Sequence, residues 1–423
     1  MEIIKTIKSL LEKSRVWGLP GIINYFRRII TSIVLQRKLR SLAQKSKVQK
    51  PIKGITVIAD LTAQVSLSKT MRDFVLLLKE AEIPCQTYDT CLKPQIPQED
   101  ISSLITPQDQ FEIGRYSHIV MMYRSPLPPD VLPHCRRARI AFYDSAHGIH
   151  ETLPFLKKSG DDIIAMSDFN YEYFKREFPD QNVYKITYPF RFKSKTSTPR
   201  NVIREKYGIK ETDFVVFFNF DFGSYYRKNT IAALRAFAKA FKNERGAKLL
   251  FKTKGAKQNP NEVKEMLREV HSLGIDSQFI HISQYLPRAD IDGLTNASDA
   301  YLSLHKSEGF GIGMAEAMSQ EKPVVATNWS ANTEFCNDTT AWCIPYKMTA
   351  ILPHEYPVSM KEWADADIDA AANALREIKD NPGKAKALAR NGAAFMQSHF
   401  STINFKNDVE KMLQQGHKEI ERS

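Results

Sequence analysis

The stretch from Asp299 to Ser319 constrains this chain more than any other. Asp299-Ala300-Tyr301-Leu302-Ser303-Leu304 is apolar enough to be a buried strand. Three glycines follow in Ser307-Glu308-Gly309-Phe310-Gly311-Ile312-Gly313, and Met314 to Ser319 then reads as the start of a helix, since alanine and methionine favour helices. A strand, a glycine turn and a helix N-terminus converge backbone N–H groups on one point, and the helix dipole adds partial positive charge there. Glu308 and Glu316 bracket the turn. Carboxylates do not bind phosphate, so their part in such a site is to accept from hydroxyl groups. Amides for phosphate beside carboxylates for hydroxyls suit a sugar nucleotide.

This segment resembles the Glu-x7-Glu motif of the retaining nucleotide-sugar glycosyltransferases of family 4. His305-Lys306-Ser307-Glu308-Gly309-Phe310-Gly311 is similar to the family's LHRSEGFGL form, with lysine for arginine. Asn328-Trp329-Ser330-Ala331-Asn332 is similar to its GWSGN stretch after the next strand. The similarity is strong over about 213–343, fair over 151–189 and faint before that. It implies an α/β chain of GT-B architecture, with two facing Rossmann-like domains built on parallel sheets.

Size agrees, because 423 residues exceed what one hydrophobic core usually supports. The domains are expected at 51–192 (acceptor side) and 201–400 (donor-nucleotide side), joined by a polar linker over 193–200. A last helix over 401–423, carrying Phe405, Val409 and Met412, is expected to cross back to the first domain. The five cysteines form no CxxC pair, which reads as reduced thiols in a cytoplasmic protein. No stretch approaches the roughly 20 apolar residues of a membrane span, and the start of the chain does not read as a signal peptide.

Charge is the second informative feature. Residues 1–50 hold twelve basic side chains against Glu2 and Glu12, so they supply ten of the net +12. Within them Ile22, Ile23, Phe26, Ile29, Ile30, Ile33, Val34 and Leu35 recur at helical spacing beside Arg27, Arg28, Arg37, Lys38 and Arg40. A basic amphipathic helix of this kind reads as an in-plane anchor on an anionic membrane surface. A helix packed on the protein's own surface or at a dimer contact is the alternative. No aromatic interleaving supports nucleic acid.

Further along, Gly54 to Asp60 reads as the first core strand and Lys69 to Ala81 as its helix, with Phe74, Leu77 and Leu78 buried. Ser66-Leu67-Ser68 stands where relatives carry a glycine-rich loop. Strands are expected at His118 to Tyr123, Arg139 to Tyr143 and Asp162 to Met166, the last followed by Ser167-Asp168-Phe169-Asn170 as a helix cap. His147-Gly148 matches a histidine–glycine pair that many relatives hold in the cleft, whereas Glu151-Thr152-Leu153-Pro154 suits a second alignment with His150 in a tryptophan's place. His147 is thus either a cleft residue or a loop histidine.

The second domain opens with the strand Phe214 to Asn219. Its loop carries Arg227 and Lys228, which the resemblance casts as the cations that neutralise the donor's diphosphate. It likewise implies that Glu308 binds donor-sugar hydroxyls, that Gly309, Phe310, Gly311 and Ile312 present amides, and that Glu316 holds the ribose. Lys252 and Tyr285 are further donor-side candidates. Asp290-Ile291-Asp292, Asp365-Ala366-Asp367 and Asp367-Ile368-Asp369 match the letters of a metal-binding DxD, but read as helix surface or helix starts. No cofactor and no metal are expected. The resulting expectation is a retaining, metal-independent hexosyltransferase at the cytoplasmic face of a membrane, passing sugar from a nucleotide diphosphate donor to a glycan or lipid-linked glycan in surface-polysaccharide assembly. A non-catalytic homologue serving as a membrane scaffold is the alternative.

Overall fold

A computed structural model describes residues 30, 32–48, 50–63, 66–91, 101–122, 127, 132, 134–142, 147–148, 152–192, 197–352, 355 and 360–420. In the first half a helix over 32–45 (α1) precedes β1 (Ile52–Ala59), α2 (Ser66–Glu80), β2 (Cys85–Asp89), β3 (Tyr116–Met122), β4 (Arg136–Ile140), β5 (His147–Gly148), α3 (Thr152–Ser159), β6 (Asp162–Ala165), α4 (Asp168–Glu177) and β7 (Val183–Lys185). Six of these strands form one parallel sheet in the order β2-β1-β3-β4-β6-β7.

The second half contains α5 (Arg200–Lys206), β8 (Phe214–Asp221), α6 (Thr230–Phe241), β9 (Ala247–Lys254), α7 (Pro260–Leu273), β10 (Phe279–Ile282), α8 (Arg288–Ala297), β11 (Ala300–Ser303), α9 (Ile312–Ser319), β12 (Val324–Thr327), β13 (Trp342–Ile344), β14 (Tyr346–Ala350), β15 (Met360–Ala366), α10 (Ile368–Asp380), α11 (Pro382–His399) and α12 (Thr402–Ile420). Its six-stranded parallel sheet runs β10-β9-β8-β11-β12-β13. Phe214–Asp221 is nearly all apolar because helices cover both faces of such a sheet. Phe217, Phe218, Phe237, Phe241 and Phe251 are fully buried there, each contributing about 2–3 kcal/mol by removal from water.

The chain thus has the expected two-domain α/β architecture. The cap at Ser167 is present: its side chain accepts from Asn170 N at 3.2 Å. α12 packs on α2 of the first domain, with Phe405 edge-on to Phe74 at 5.3 Å. Asp408 of the same helix accepts from the backbone and hydroxyl of Thr187 at 3.0 and 2.7 Å.

Three differences from the sequence reading have physical causes. Ser66-Leu67-Ser68 is the first turn of α2 rather than loop, since nothing in it breaks a helix. A third, antiparallel sheet joins β14, β15 and β5, pairing Glu362 with His147 and Met360 with Gly148. Its short strands, drawn from both halves of the chain, leave little periodic signal. Asp365 consequently lies on β15 instead of a helix, and Asp367 is the N-cap of α10, accepting from Asp369 N and Ala370 N. In α1, Leu35 and Leu39 are buried against Ile58, Ile119 and Met121 of the first sheet. This part of the basic extension is therefore packed on the domain, with Ile30, Ile33 and Val34 exposed on its other side. Residues 1–29 and 193–196 lie outside the described residues.

Candidate functional site

In the second sheet β8 and β11 are neighbours, but their connections leave in opposite directions, so a crevice opens beyond their C-terminal ends. The loop after β8 carries Arg227 and Lys228, and the loop after β11 carries Glu308. Lys228 Nζ donates to Glu308 Oε1 at 2.5 Å, and Arg227 Nη1 donates to the same oxygen at 3.0 Å. Arg227 also donates to the Ser307 carbonyl at 2.8 Å and to Ser224 Oγ at 3.3 Å. Glu308 is buried, which alone would push its carboxyl upward, but Lys228 and then Arg227 overcome this and hold it at about 2. Two cations and one carboxylate leave this corner at net +1.

The Glu308 loop is braced from below by the stretch after β12. Glu308 N donates to Ser330 Oγ at 2.9 Å. His305, fully buried, faces the Trp329 carbonyl and Asn332 Oδ1 with Nε2, at 3.1 and 2.9 Å. Burial above all lowers the His305 pKa. Asn332 in turn donates to the Thr327 carbonyl at 2.9 Å. Ser330 sits at φ +74°, a conformation that costs a non-glycine residue about 1–3 kcal/mol. The brace stabilises that turn, with Thr333 Oγ1 donating to the Ser330 carbonyl at 2.7 Å. Ser330 and Asn332 are visible in the sequence as part of the motif, but their bracing task, like that of His305, shows only in the fold.

Beyond Glu308 the chain turns through Gly309 and Phe310 into α9. Gly311 is the helix N-cap at φ +96°, where a side chain would be strained, and it offers no capping side chain to the first N–H groups of α9. A Cβ on Gly313 would lie 2.2 Å from Tyr301 Oη, so only glycine lets α9 approach β11 this closely. That hydroxyl donates to Asn219 Oδ1 at 2.6 Å. The opposite domain closes on the turn: Asn170 Nδ2 donates to the Gly309 carbonyl at 3.1 Å, and Phe310 stacks on Tyr188.

Glu316, the second glutamate, is buried on α9 and ion-paired at 2.7 Å with Arg288, a residue the sequence reading did not single out. Burial above all suppresses the hydroxyl acidities of Tyr188 and Tyr301, and the nearby carboxylates of Glu308 and Glu316 add to it. Lys252 stands apart from the Glu308 corner: its Nζ donates to the Thr253 carbonyl at 2.8 Å, and burial lowers its pKa. Tyr285 is 64% exposed in the connection between β10 and α8. His147 is placed by its backbone alone, on β5 against Glu362. Among the aspartates of the DxD-like runs, Asp290 accepts from Thr198 Oγ1 at 2.7 Å, Asp292 pairs with Arg288 at 2.8 Å, and Asp365 accepts from Asn229 Nδ2 at 3.0 Å.

Residues 199–352 match the family model described as glycosyl transferases group 1, a stretch that includes Arg227, Lys228, Arg288, Glu308 and Glu316. No curated protein matches the chain. Among solved structures, Anabaena HepE in complex with UDP and glucose is similar with a TM-score of 0.61 at 14% identity, over 86% of this chain and 100% of that one. Sucrose-phosphate synthase from Thermosynechococcus elongatus gives 0.60 at 16% identity, over 86% and 98%. A glycosyltransferase from Rickettsia africae gives 0.61 at 12%, over 88% and 100%. The chain has the GT-B fold of these glycosyltransferases.

Proposed function

We propose that the chain is a retaining glycosyltransferase that moves a hexose from a nucleotide diphosphate sugar to a glycan or lipid-linked glycan. The observation that carries this reading is the Lys228–Glu308–Arg227 corner at the mouth of the second sheet, beside the uncapped start of α9. Transfer breaks the bond between the anomeric carbon and the diphosphate oxygen and forms one from that carbon to an acceptor hydroxyl oxygen. Negative charge grows on the departing oxygen, where the fixed cation Lys228 and the N–H groups of Ile312 and Gly313 stabilise it. The proton of the acceptor hydroxyl passes to the departing phosphate on the same face, which preserves the anomeric configuration. Glu308, kept ionised by its cations, accepts from hydroxyls of the donor sugar, and Glu316 from those of the ribose.

The reaction needs no metal in this reading, because Lys228, Arg227 and the helix start supply the positive charge. UDP and glucose are bound in the similar HepE structure, which supports a nucleotide sugar donor here. No helix among the described residues is long and apolar enough to cross a membrane. The exposed Ile30, Ile33 and Val34 beside exposed Arg37, Lys38 and Arg40 support contact with an anionic membrane surface, and hence a lipid-linked acceptor in polysaccharide assembly at the cytoplasmic face.

Turnover of a panel of UDP-, GDP- and ADP-sugars tests the proposal, with release of nucleoside diphosphate as the readout. One donor should be consumed, and Lys228→Met should abolish its turnover. A donor consumed equally well by both proteins would overturn the assignment.

A further inference from the structure

β15 touches the first domain and both loops of the Lys228–Glu308 corner. Its Met360 and Glu362 pair with Gly148 and His147 of the first domain. Further along the strand, Ala364 N donates to the Lys306 carbonyl at 3.1 Å, and Lys306 N donates to the Arg227 carbonyl at 2.8 Å. Lys306 Nζ also lies over the ring of the fully buried Trp363, 4.7 Å from its centroid. The next residue, Asp365, belongs to a DxD-like run, yet its Oδ1 accepts from Asn229 Nδ2 at 3.0 Å. Asn229 directly follows Lys228, is buried, and has a left-handed backbone at φ +53°. Such a conformation is costly for a residue with a side chain and persists where the surroundings hold it. Asn229 heads α6, where asparagine ordinarily caps a helix, but its side chain makes no cap bond and is turned to Asp365 instead.

We infer that Asp365 is a positioning residue for Lys228: its bond to the Asn229 side chain holds the left-handed turn that aims the Lys228 ammonium at Glu308 and, in the proposed transfer, at the departing diphosphate. The inference rests on the proposed role of Lys228 and goes beyond it. Lysine carries its charge on a flexible four-carbon stem, so where that charge falls depends on how firmly the backbone beneath it is fixed. Two backbone bonds act within the loop: Lys228 N donates to the Ser224 carbonyl at 2.8 Å, and Asn229 N to the Tyr226 carbonyl at 3.0 Å. A loop held by its own bonds alone can still tilt as a unit. Two further bonds prevent this, from Lys306 to the Arg227 carbonyl and from Asn229 to Asp365, and they tie the residues on either side of Lys228 to the β11 loop and to β15. The aim matters because a misplacement of about 1 Å can cost a catalytic group on the order of 10²-fold in rate. In this account the aspartate of the DxD-like run serves the cation that stands where a metal would otherwise supply charge.

The test is a double-mutant cycle read by calorimetric binding of UDP, GDP and ADP to the full chain. Asp365→Ala should weaken the nucleotide that the wild-type protein binds by roughly three- to tenfold, the scale of one lost hydrogen bond. Asp365→Asn, which keeps an oxygen at the accepting position, should retain most of the affinity. In a Lys228→Met background Asp365→Ala should cost nothing further, because no ammonium remains to be aimed. A merely structural role would cost the same in both backgrounds. Asn229→Gly removes the tie from its other end while easing the left-handed backbone. It should match Asp365→Ala, and it decides the question should that variant fail to fold. Wild-type affinity in the folded variants, or an equal loss with and without Lys228, would overturn the inference and leave the donor site standing. No binding of any nucleotide by the wild-type protein would overturn the donor site itself, and this inference with it.

Discussion

The ring of Tyr188 lies flat on the ring of Phe310, with 3.6 Å between centroids and planes 6° apart. Tyr188 follows the last strand of the first domain, and Phe310 is the residue between Gly309 and Gly311 in the second. The stack therefore fixes the glycine turn against the opposite domain. The Tyr188 hydroxyl adds a 2.7 Å hydrogen bond to Thr70 Oγ1 of α2. Tyr188→Phe removes that bond alone and should cost about 1 kcal/mol. Phe310→Ala removes a buried ring and should cost about 3–5 kcal/mol, with a larger loss of turnover than Tyr188→Phe. Urea unfolding and donor turnover on the same preparations check both.

Lys228→Met and Glu308→Gln should have different signatures. Lys228→Met leaves Glu308 with Arg227 as partner, so stability should fall modestly while turnover falls by roughly 10²–10³, the usual cost of removing one transition-state donor. Glu308→Gln removes the buried carboxylate that two half-buried cations share, and should destabilise the fold by about 3–5 kcal/mol as well as abolish transfer. Equal stability losses in the two variants would contradict the shared-oxygen geometry.

The sign of the pH effect follows from the same carboxylate. Glu308 is held at about 2 in the folded chain, below the ordinary glutamate value near 4.3 that it takes when unfolded. Its contribution to stability is complete above the unfolded value and is lost as pH falls through the range between the two. Glu308→Gln should flatten the fall of unfolding free energy with acid over that range, by up to about 1.4 kcal/mol per pH unit. Denaturant titrations between pH 5 and 2.5 measure it.

Because Leu35 and Leu39 of α1 are buried on the first sheet, removing the whole basic extension would uncover core. Charge reversal of exposed side chains is the cleaner experiment. Arg37→Glu, Lys38→Glu and Arg40→Glu together should release the protein from phosphatidylserine vesicles, since each basic residue near such a surface contributes about 1 kcal/mol. Unchanged sedimentation with the vesicles would contradict a membrane role for this face.

Much of the fold was legible from residues 299–319 because three local signals agree there: an apolar strand, glycines where the backbone needs them, and helix formers after the turn. The pairing of Glu308 with Lys228 was within reach, since a doubly wound sheet brings the loops after its first and fourth strands together. Arg288 was not, because its partner Glu316 is remote in sequence and their contact depends on how α8 sits beside α9. His305 looks like any motif histidine until Asn332 and the Trp329 carbonyl are seen around it. The β5–β15 pairing joins short stretches far apart in the chain, and no local pattern announces such a partner. In α1 the excess charge was plain, whereas only the fold shows which apolar residues the sheet takes.

The most direct test of the account is calorimetric binding of UDP, GDP and ADP, with no metal added, to the wild-type protein and to Lys228→Met. The account predicts that one of the three binds the wild-type chain and that Lys228→Met weakens it at least tenfold. Absence of binding by all three, or equal affinity in the variant, would contradict a nucleotide-sugar site at Glu308 and Lys228.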